Sequence, residues 1–332
     1  MPQLTILMPA FNAALYLQEA IESLLVQTFV DFDLWIIDDG STDETLSIAK
    51  SYNDTRIKII TNPVNQGRVK TINKLVKDIQ SPYFTITDAD DVSHPQRLEK
   101  QIEVLKQDQT LMMCGISFWV VDEQGYTVRK LKLLTDLTEL RAKALQQSQF
   151  LGPTTVMRKE VLSAFPDFYR AYLREEFADA DLATLILDKY PATNIVEPLY
   201  YYRILRSSLS RRNVTPQNLN LHLLVGFLSQ QRRTNDQDCL QRNATEEADR
   251  FMHEIEEPYN LDPSFLFRHQ AFVHLYWGLN NLALENVWLA VSKSPFRAKN
   301  WISLLYIIFR IGLFYLNRSV NKVHYRQLMR TQ

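Results

Sequence analysis

Apolar runs of four or five residues alternate with amphipathic helical stretches through the first hundred positions, and few folds accept that pattern. Residues 4–8 (LTILM) form one run, stopped by Pro9. Leu17, Ile21, Leu24, Leu25 and Thr28 then mark one helical face, with Asn12 placed to cap it. A second run at 34–38 precedes Ser41-x-x-Glu44, a capping-box pattern that predicts a helix to about residue 52. A third strand at 57–60 leads to the stripe Val69, Ile72, Leu75, Val76 and Ile79, and a fourth at 83–87 to Leu98, Ile102 and Leu105 behind Ser93-x-x-Gln96. Repeated β and α units of this length predict an α/β fold with a mostly parallel sheet, helices on both faces and right-handed crossovers.

The pattern then changes. Residues 111–121 read as one longer strand with a turn at 123–125, 135–148 as helix, 156–158 as a short strand, 175–187 as helix and 199–203 as a last strand. From residue 216 the chain reads as helical. A stretch rich in Gln, Asn, Arg and Thr at 210–245 divides it into an α/β unit (1–212) and a helical region (213–332).

Charge is unevenly spread. No acid follows Glu285, while Lys293, Arg297, Lys299, Arg310, Arg318, Lys322, Arg326 and Arg330 do, so residues 286–332 carry +8 and the remainder −9 of the overall −1. Within this basic tail, residues 301–316 are apolar apart from Arg310 and a narrow polar stripe. They fall short of the roughly 20 residues that cross a bilayer, which predicts an interfacial helix on an anionic membrane surface. The acidic main unit shows no basic stripe, which excludes a nucleic-acid binder. Two cysteines make no disulfide framework and point to a reducing compartment. No secretory pattern is visible, so the expected location is cytoplasmic, peripheral at the inner face of the membrane.

Chemistry is expected where strands end, because open parallel sheets bind ligands beyond their carboxyl ends. Strand two ends in Asp38-Asp39-Gly40-Ser41 and strand four in Asp88-Ala89-Asp90-Asp91. Five acids converging on one crevice repel each other, and a hard cation such as Mg²⁺ or Mn²⁺, shared with substrate phosphates, relieves that repulsion. No Gly-rich dinucleotide or P-loop pattern competes with this reading.

Several stretches, in order, resemble family 2 glycosyltransferases of the GT-A type over residues 3–211. They are Ile6-Leu7-Met8-Pro9-Ala10-Phe11-Asn12, Ile37-Asp38-Asp39-Gly40-Ser41-Thr42-Asp43, Asn65-x-Gly67, Thr87-Asp88-Ala89-Asp90-Asp91 and Pro95-x-Arg97-Leu98-Glu99. The resemblance implies a nucleotide-sugar-dependent, inverting transferase in polysaccharide biosynthesis. Its donor would be a nucleoside-diphosphate sugar, its acceptor a hydroxyl of a glycan or lipid-linked saccharide, and its cofactor Mn²⁺ or Mg²⁺. Pro9, Ala10 and Asn12 would line the nucleotide pocket, Asp39 contact the base and Asp88 the ribose. Asp90 of the DxD-like motif would ligate the metal, and Lys70 would lie near the nucleotide. The catalytic base maps to Asp179, with Glu176 as the alternative, because Ala178 stands where relatives carry Glu. Leu205 stands where many relatives carry His near the diphosphate, which leaves Arg203, Arg206 or Arg211 to bind phosphate. A nucleotidyltransferase and a catalytically inactive nucleotide-sugar-binding protein are the competing expectations.

Overall fold

The computed structural model describes residues 1–205, 215–318 and 323–329, without the side chains of Glu176 and 314–318. β1 (Leu4–Ala10), β2 (Phe32–Asp38), β3 (Ile57–Thr61) and β4 (Tyr83–Ile86) pair in parallel, and with β6 (Met113–Ile116), β9 (Val156–Arg158) and β10 (Ala192–Ile195) they form a seven-stranded sheet in the order β10-β6-β9-β4-β1-β2-β3. Period-two alternation explains its two filled faces. Leu4, Ile6, Met8, Leu34 and Ile36 meet Leu17, Ile21 and Leu24 of α1 (Ala14–Leu25) and Leu98, Ile102 and Leu105 of α4 (Arg97–Gln107). Leu7, Trp35, Ile37, Phe84 and Ile86 face Ile72 and Leu75 of α3 (Arg68–Leu75) and Leu182 and Ile186 of α7 (Arg174–Lys189). Strands buried on both sides read as continuous apolar runs, which is why they are visible in the sequence.

The expected single strand at 111–121 is two. β6 (Met113–Ile116) enters the large sheet beside β9 (Val156–Arg158) and β10 (Ala192–Ile195). β7 (Phe118–Val121) enters a second sheet, ordered β5-β11-β7-β8, with β5 (Val92–Ser93), β8 (Thr127–Leu131) and β11 (Tyr200–Arg203). The break falls at Ser117, whose N–H donates to Ile195 O (2.9 Å) and whose hydroxyl accepts from Leu133 N (3.0 Å). β9 runs antiparallel to both neighbours, so the sheet is mostly parallel.

The expected caps also differ. α1 starts at Ala14 without a cap from Asn12, which takes a left-handed φ of 50°. α2 (Thr45–Lys50) starts past Ser41. Instead the two loops cap each other: Asn12 N donates to Ser41 Oγ (3.0 Å), Thr42 N to Asn12 Oδ1 (2.9 Å) and Ala14 N to Asp43 Oδ2 (3.1 Å). Ser93 accepts from the Arg97 guanidinium (2.9 Å) rather than capping α4.

α5 (Leu137–Ala144) and α6 (Glu160–Ala164) complete the first unit. The expected boundary at 212/213, with Arg206 and Arg211, lies outside the described residues. Beyond it stand α8 (Pro216–Asn235), α9 (Thr245–Leu261), α10 (Phe265–Trp277), α11 (Asn280–Lys293), α12 (Ala298–Arg318) and α13 (Tyr325–Leu328). α8 starts on a Thr215 hydroxyl that accepts from Asn218 N (3.1 Å), followed by Pro216 at N1. A buried ion network ties it to α7: Arg170 binds Asp181 (2.5 Å) and Asp238 (2.8 Å), and Arg232 binds Asp188 (2.8 Å) and Asp238 (2.5 Å). α12 packs Leu304, Ile307 and Ile311 on Ala271, Ala283 and Val287, while Ile302, Leu305 and Phe309 on its other side are more than 60% exposed. Among the described residues, no helix is long and apolar enough to cross a membrane.

Candidate active site

Register decides what meets at the rim. Ala10 pairs with Asp38 at the ends of β1 and β2, and Leu7 with Ile86 at the end of β4. Asp39 N then donates to Ala10 O, and Thr87 N to Leu7 O, each at 2.9 Å. Both acidic runs therefore leave the sheet at the same edge as Pro9, Ala10 and Asn12.

Asp88, Asp90 and Asp91 converge: one carboxylate oxygen of each lies within 4.8 Å of the others. Asp91 is 3% exposed; its Oδ1 accepts from Arg203 N (2.7 Å), and its Oδ2 is buried with no hydrogen-bond partner. Burial, then Asp90 and Asp88, pushes the Asp91 carboxyl well above the usual carboxylate range. Asp88 is also raised, by burial first, with the nearby Arg68 opposing. Three such oxygens, one of them unsatisfied, fit a hard divalent cation, which would lower both carboxyls again.

Asp39, buried at the end of β2, anchors the next loop. Its oxygens accept from Asn62 Nδ2 (2.7 Å), Gln66 N (3.0 Å), Gly67 N (2.9 Å) and Thr71 Oγ1 (3.2 Å). The loop turns at Gly67 (φ 84°) and delivers Arg68 to the first turn of α3. There the Arg68 guanidinium pairs with Asp179 at 3.0 Å and Asp88 at 3.8 Å. Burial works against its charge, but Asp179, Tyr169 and Asp88 hold it protonated, above the ordinary guanidinium value. The Tyr169 hydroxyl also donates to Asp179. Glu175 accepts from Val69 N (2.9 Å), fastening the start of α3 to α7. One polar chain thus links Asp39, through the 66–68 turn, to Asp88 and Asp179.

Asp179 is therefore brought to the acids. Ala178, where relatives would carry Glu, is fully buried in the core under α7. The side chain of the alternative, Glu176, lies outside those described. Lys70 sits on the exposed side of α3 and donates to Gln66 Oε1 (2.8 Å). Arg203 is 3% exposed, and its guanidinium is turned to protein groups: Asp90 O (2.9 Å), Glu123 O (3.1 Å) and the Glu19 carboxylate. Arg68 and Tyr169 were missed because neither stands out by periodicity. The position of Arg68 just after Asn65-x-Gly67 was the available signal.

Residues 5–165 match the family model described as glycosyl transferase family 2. EpsE of Bacillus subtilis, which carries a glycosyltransferase name, is 30% identical over 218 residues, covering 64% of this chain and 77% of that protein. An uncharacterized glycosyltransferase of Haemophilus influenzae is 33% identical over 48% of this chain and 64% of its own. Among solved structures, S. aureus TarS 1–349 with UDP-GlcNAc superposes with a TM-score of 0.60 at 17% identity, over 94% of this chain and 89% of that one. The Pyrobaculum calidifontis mannosyltransferase PcManGT, with GDP-Man and Mn²⁺, gives 0.52 at 16% identity, over 95% and 87%. These two likenesses establish a shared GT-A fold. The α/β sheet, its acidic edge and these relatives together place the chain in glycosyl transferase family 2, as a glycosyltransferase.

Proposed function

We propose that the protein transfers a sugar, with inversion, from a nucleoside-diphosphate sugar to a hydroxyl of a glycan or lipid-linked saccharide, with Mn²⁺ or Mg²⁺ as cofactor. The observation that carries this reading is the meeting of three carboxylates, one with a buried unsatisfied oxygen, beside an Arg-linked fourth acid at the open edge of the sheet. The donor complexes named for TarS and PcManGT support the donor class, and the latter supports the metal.

Asp90, with Asp88 and Asp91, would hold the cation, which would supply Lewis-acid stabilisation for a departing diphosphate. Pro9, Ala10, Asn12, Asp39 and Lys70 frame the nucleotide. Asp179 accepts the acceptor's hydroxyl proton, a role that needs an ionised carboxylate, and Arg68 keeps a positive charge beside it. Arg203 serves from behind the acids by holding the Asp90 carbonyl and Asp91. The exposed apolar side of α12, set among Lys293, Arg297, Lys299 and Arg310, supports a peripheral seat on an anionic membrane.

A panel of UDP-, GDP- and dTDP-sugars, scanned for thermal stabilisation with Mn²⁺, tests the reading. A donor at 100 times its Kd adds about 2.7 kcal/mol of apparent stability. Stabilisation by one nucleotide class, lost in Asp90→Asn, is the expected result. Equal stabilisation of Asp90→Asn defeats the metal assignment. Donor binding without Mn²⁺-dependent hydrolysis or transfer points instead to an inactive nucleotide-sugar-binding protein.

A further inference from the structure

The last described segment, residues 323–329, does not hang free. It lies on the second sheet, where Thr127 N donates to Val323 O and Tyr325 N to Gly125 O, both at 3.0 Å. Gly125 (φ 86°) makes room, since a Cβ there would sit 2.7 Å from His324 Nε2 and 2.9 Å from the Tyr325 ring. Tyr325 is 2% exposed, its ring 5.3 Å from that of Tyr201. Its hydroxyl donates to Glu19, and Arg326 adds a bond to the same carboxylate at 2.8 Å. The other Glu19 oxygen takes the Arg203 guanidinium. Arg203 in turn donates from Nε to the Asp90 carbonyl (2.9 Å) and from its backbone N–H to Asp91 Oδ1 (2.7 Å).

We infer that this C-terminal strap is a positioning element for the acidic loop, acting through Glu19 and Arg203 to hold Asp90 and Asp91 in the geometry that receives the cation. A guanidinium as buried as that of Arg203 needs a fixed counter-charge. Glu19 is that charge, but its side chain is 26% exposed and lies on the surface of α1. Tyr325 and Arg326 remove its freedom. Groups that orient the ligands of a metal tune its affinity without touching it. The inference rests on reading Asp88, Asp90 and Asp91 as the cation site.

The test titrates Mn²⁺ alone into the full chain, reading free Mn²⁺ by electron paramagnetic resonance. Tyr325→Phe keeps the ring and removes the hydroxyl, and Arg326→Met removes the second bond. Their combination is expected to weaken Mn²⁺ binding about three- to tenfold, the share of a charge-assisted hydrogen-bond pair transmitted through one residue. In turnover assays the half-saturating Mn²⁺ concentration rises by the same factor, while kcat at saturating Mn²⁺ stays within about twofold, and Arg326→Lys recovers part of the loss. Should the double variant fail to fold, Arg326→Met alone, at a 67% exposed side chain, carries the measurement. Folded variants that bind Mn²⁺ as tightly as the wild type overturn the inference. A wild type that binds no Mn²⁺ removes the cation reading first and this inference with it.

Discussion

Arg68→Met is the sharpest single perturbation of the site. It deletes a guanidinium that lies 3.0 Å from Asp179 and 3.8 Å from Asp88, with 14% of its side chain exposed. At an effective dielectric of about 20, those two attractions are worth roughly 5 and 4 kcal/mol gross. Desolvating the cation offsets much of that, and removing one partner of a buried pair costs about 3–5 kcal/mol net. At an unfolding entropy of about 2.1 cal/mol/K per residue, a chain of this size loses about 1.4 °C of melting temperature per kcal/mol, so a fall of roughly 4–7 °C is expected at pH 7.5. The pH dependence has a definite sign. The Asp88 carboxyl already stands above its ordinary value through burial, with Arg68 opposing the shift. Losing Arg68 raises it further. A carboxyl whose folded value exceeds its unfolded one destabilises when ionised, and the cost fades as pH falls toward the folded value. The gap between variant and wild type therefore narrows between pH 7.5 and about 5, near the upper end of carboxyl titration. Differential scanning fluorimetry at both pH values measures it. A variant within 1–2 °C of wild type at pH 7.5 would refute the coupling of Asp88 and Asp179 through Arg68, since about 3 kcal/mol must appear.

Asp179→Asn should leave donor binding intact, as isothermal calorimetry would read it, while turnover falls by about 10²-fold or more; unchanged turnover would place the base elsewhere. Asp238→Asn, at a fully buried acid shared by Arg170 and Arg232, should cost about 3–5 kcal/mol in chemical denaturation by leaving two buried cations short of a partner. Phe309→Glu on the exposed side of α12 should lower co-sedimentation with anionic phospholipid vesicles without moving the melting temperature by more than about 2 °C; binding unchanged by it, or no binding by wild type, counts against the membrane seat.

The elements that could be read in advance were those whose burial follows a local period. β1, β2 and α4 announce themselves because a strand filled on both faces, or a helix filled along one stripe, must write that burial into neighbouring positions. The acids were legible for a related reason: in an alternating α/β chain, the residue after a strand is already at the binding edge. β10 and β8 were missed because they carry Thr, Asn, Arg and Lys among their apolar residues. The split at Ser117 was invisible because nothing in that run marks where a chain changes sheets.

The expected caps at Asn12 and Ser41 failed for a more general reason. Ser41 and Asn12 are good caps, yet each finds its partner about thirty positions away, across two loops that only the parallel pairing of β1 and β2 sets side by side. Arg68 reaches Asp179 over 111 positions, and Tyr325 reaches Glu19 over 306. The amino-acid order alone settled the parallel strands β1 to β4, their buried faces and the edge at which the acids stand, because hydrophobic burial is periodic along the chain. Tertiary structure alone decided which polar side chains pair, because a hydrogen bond or ion pair depends on separation in space, and chain position says little about that.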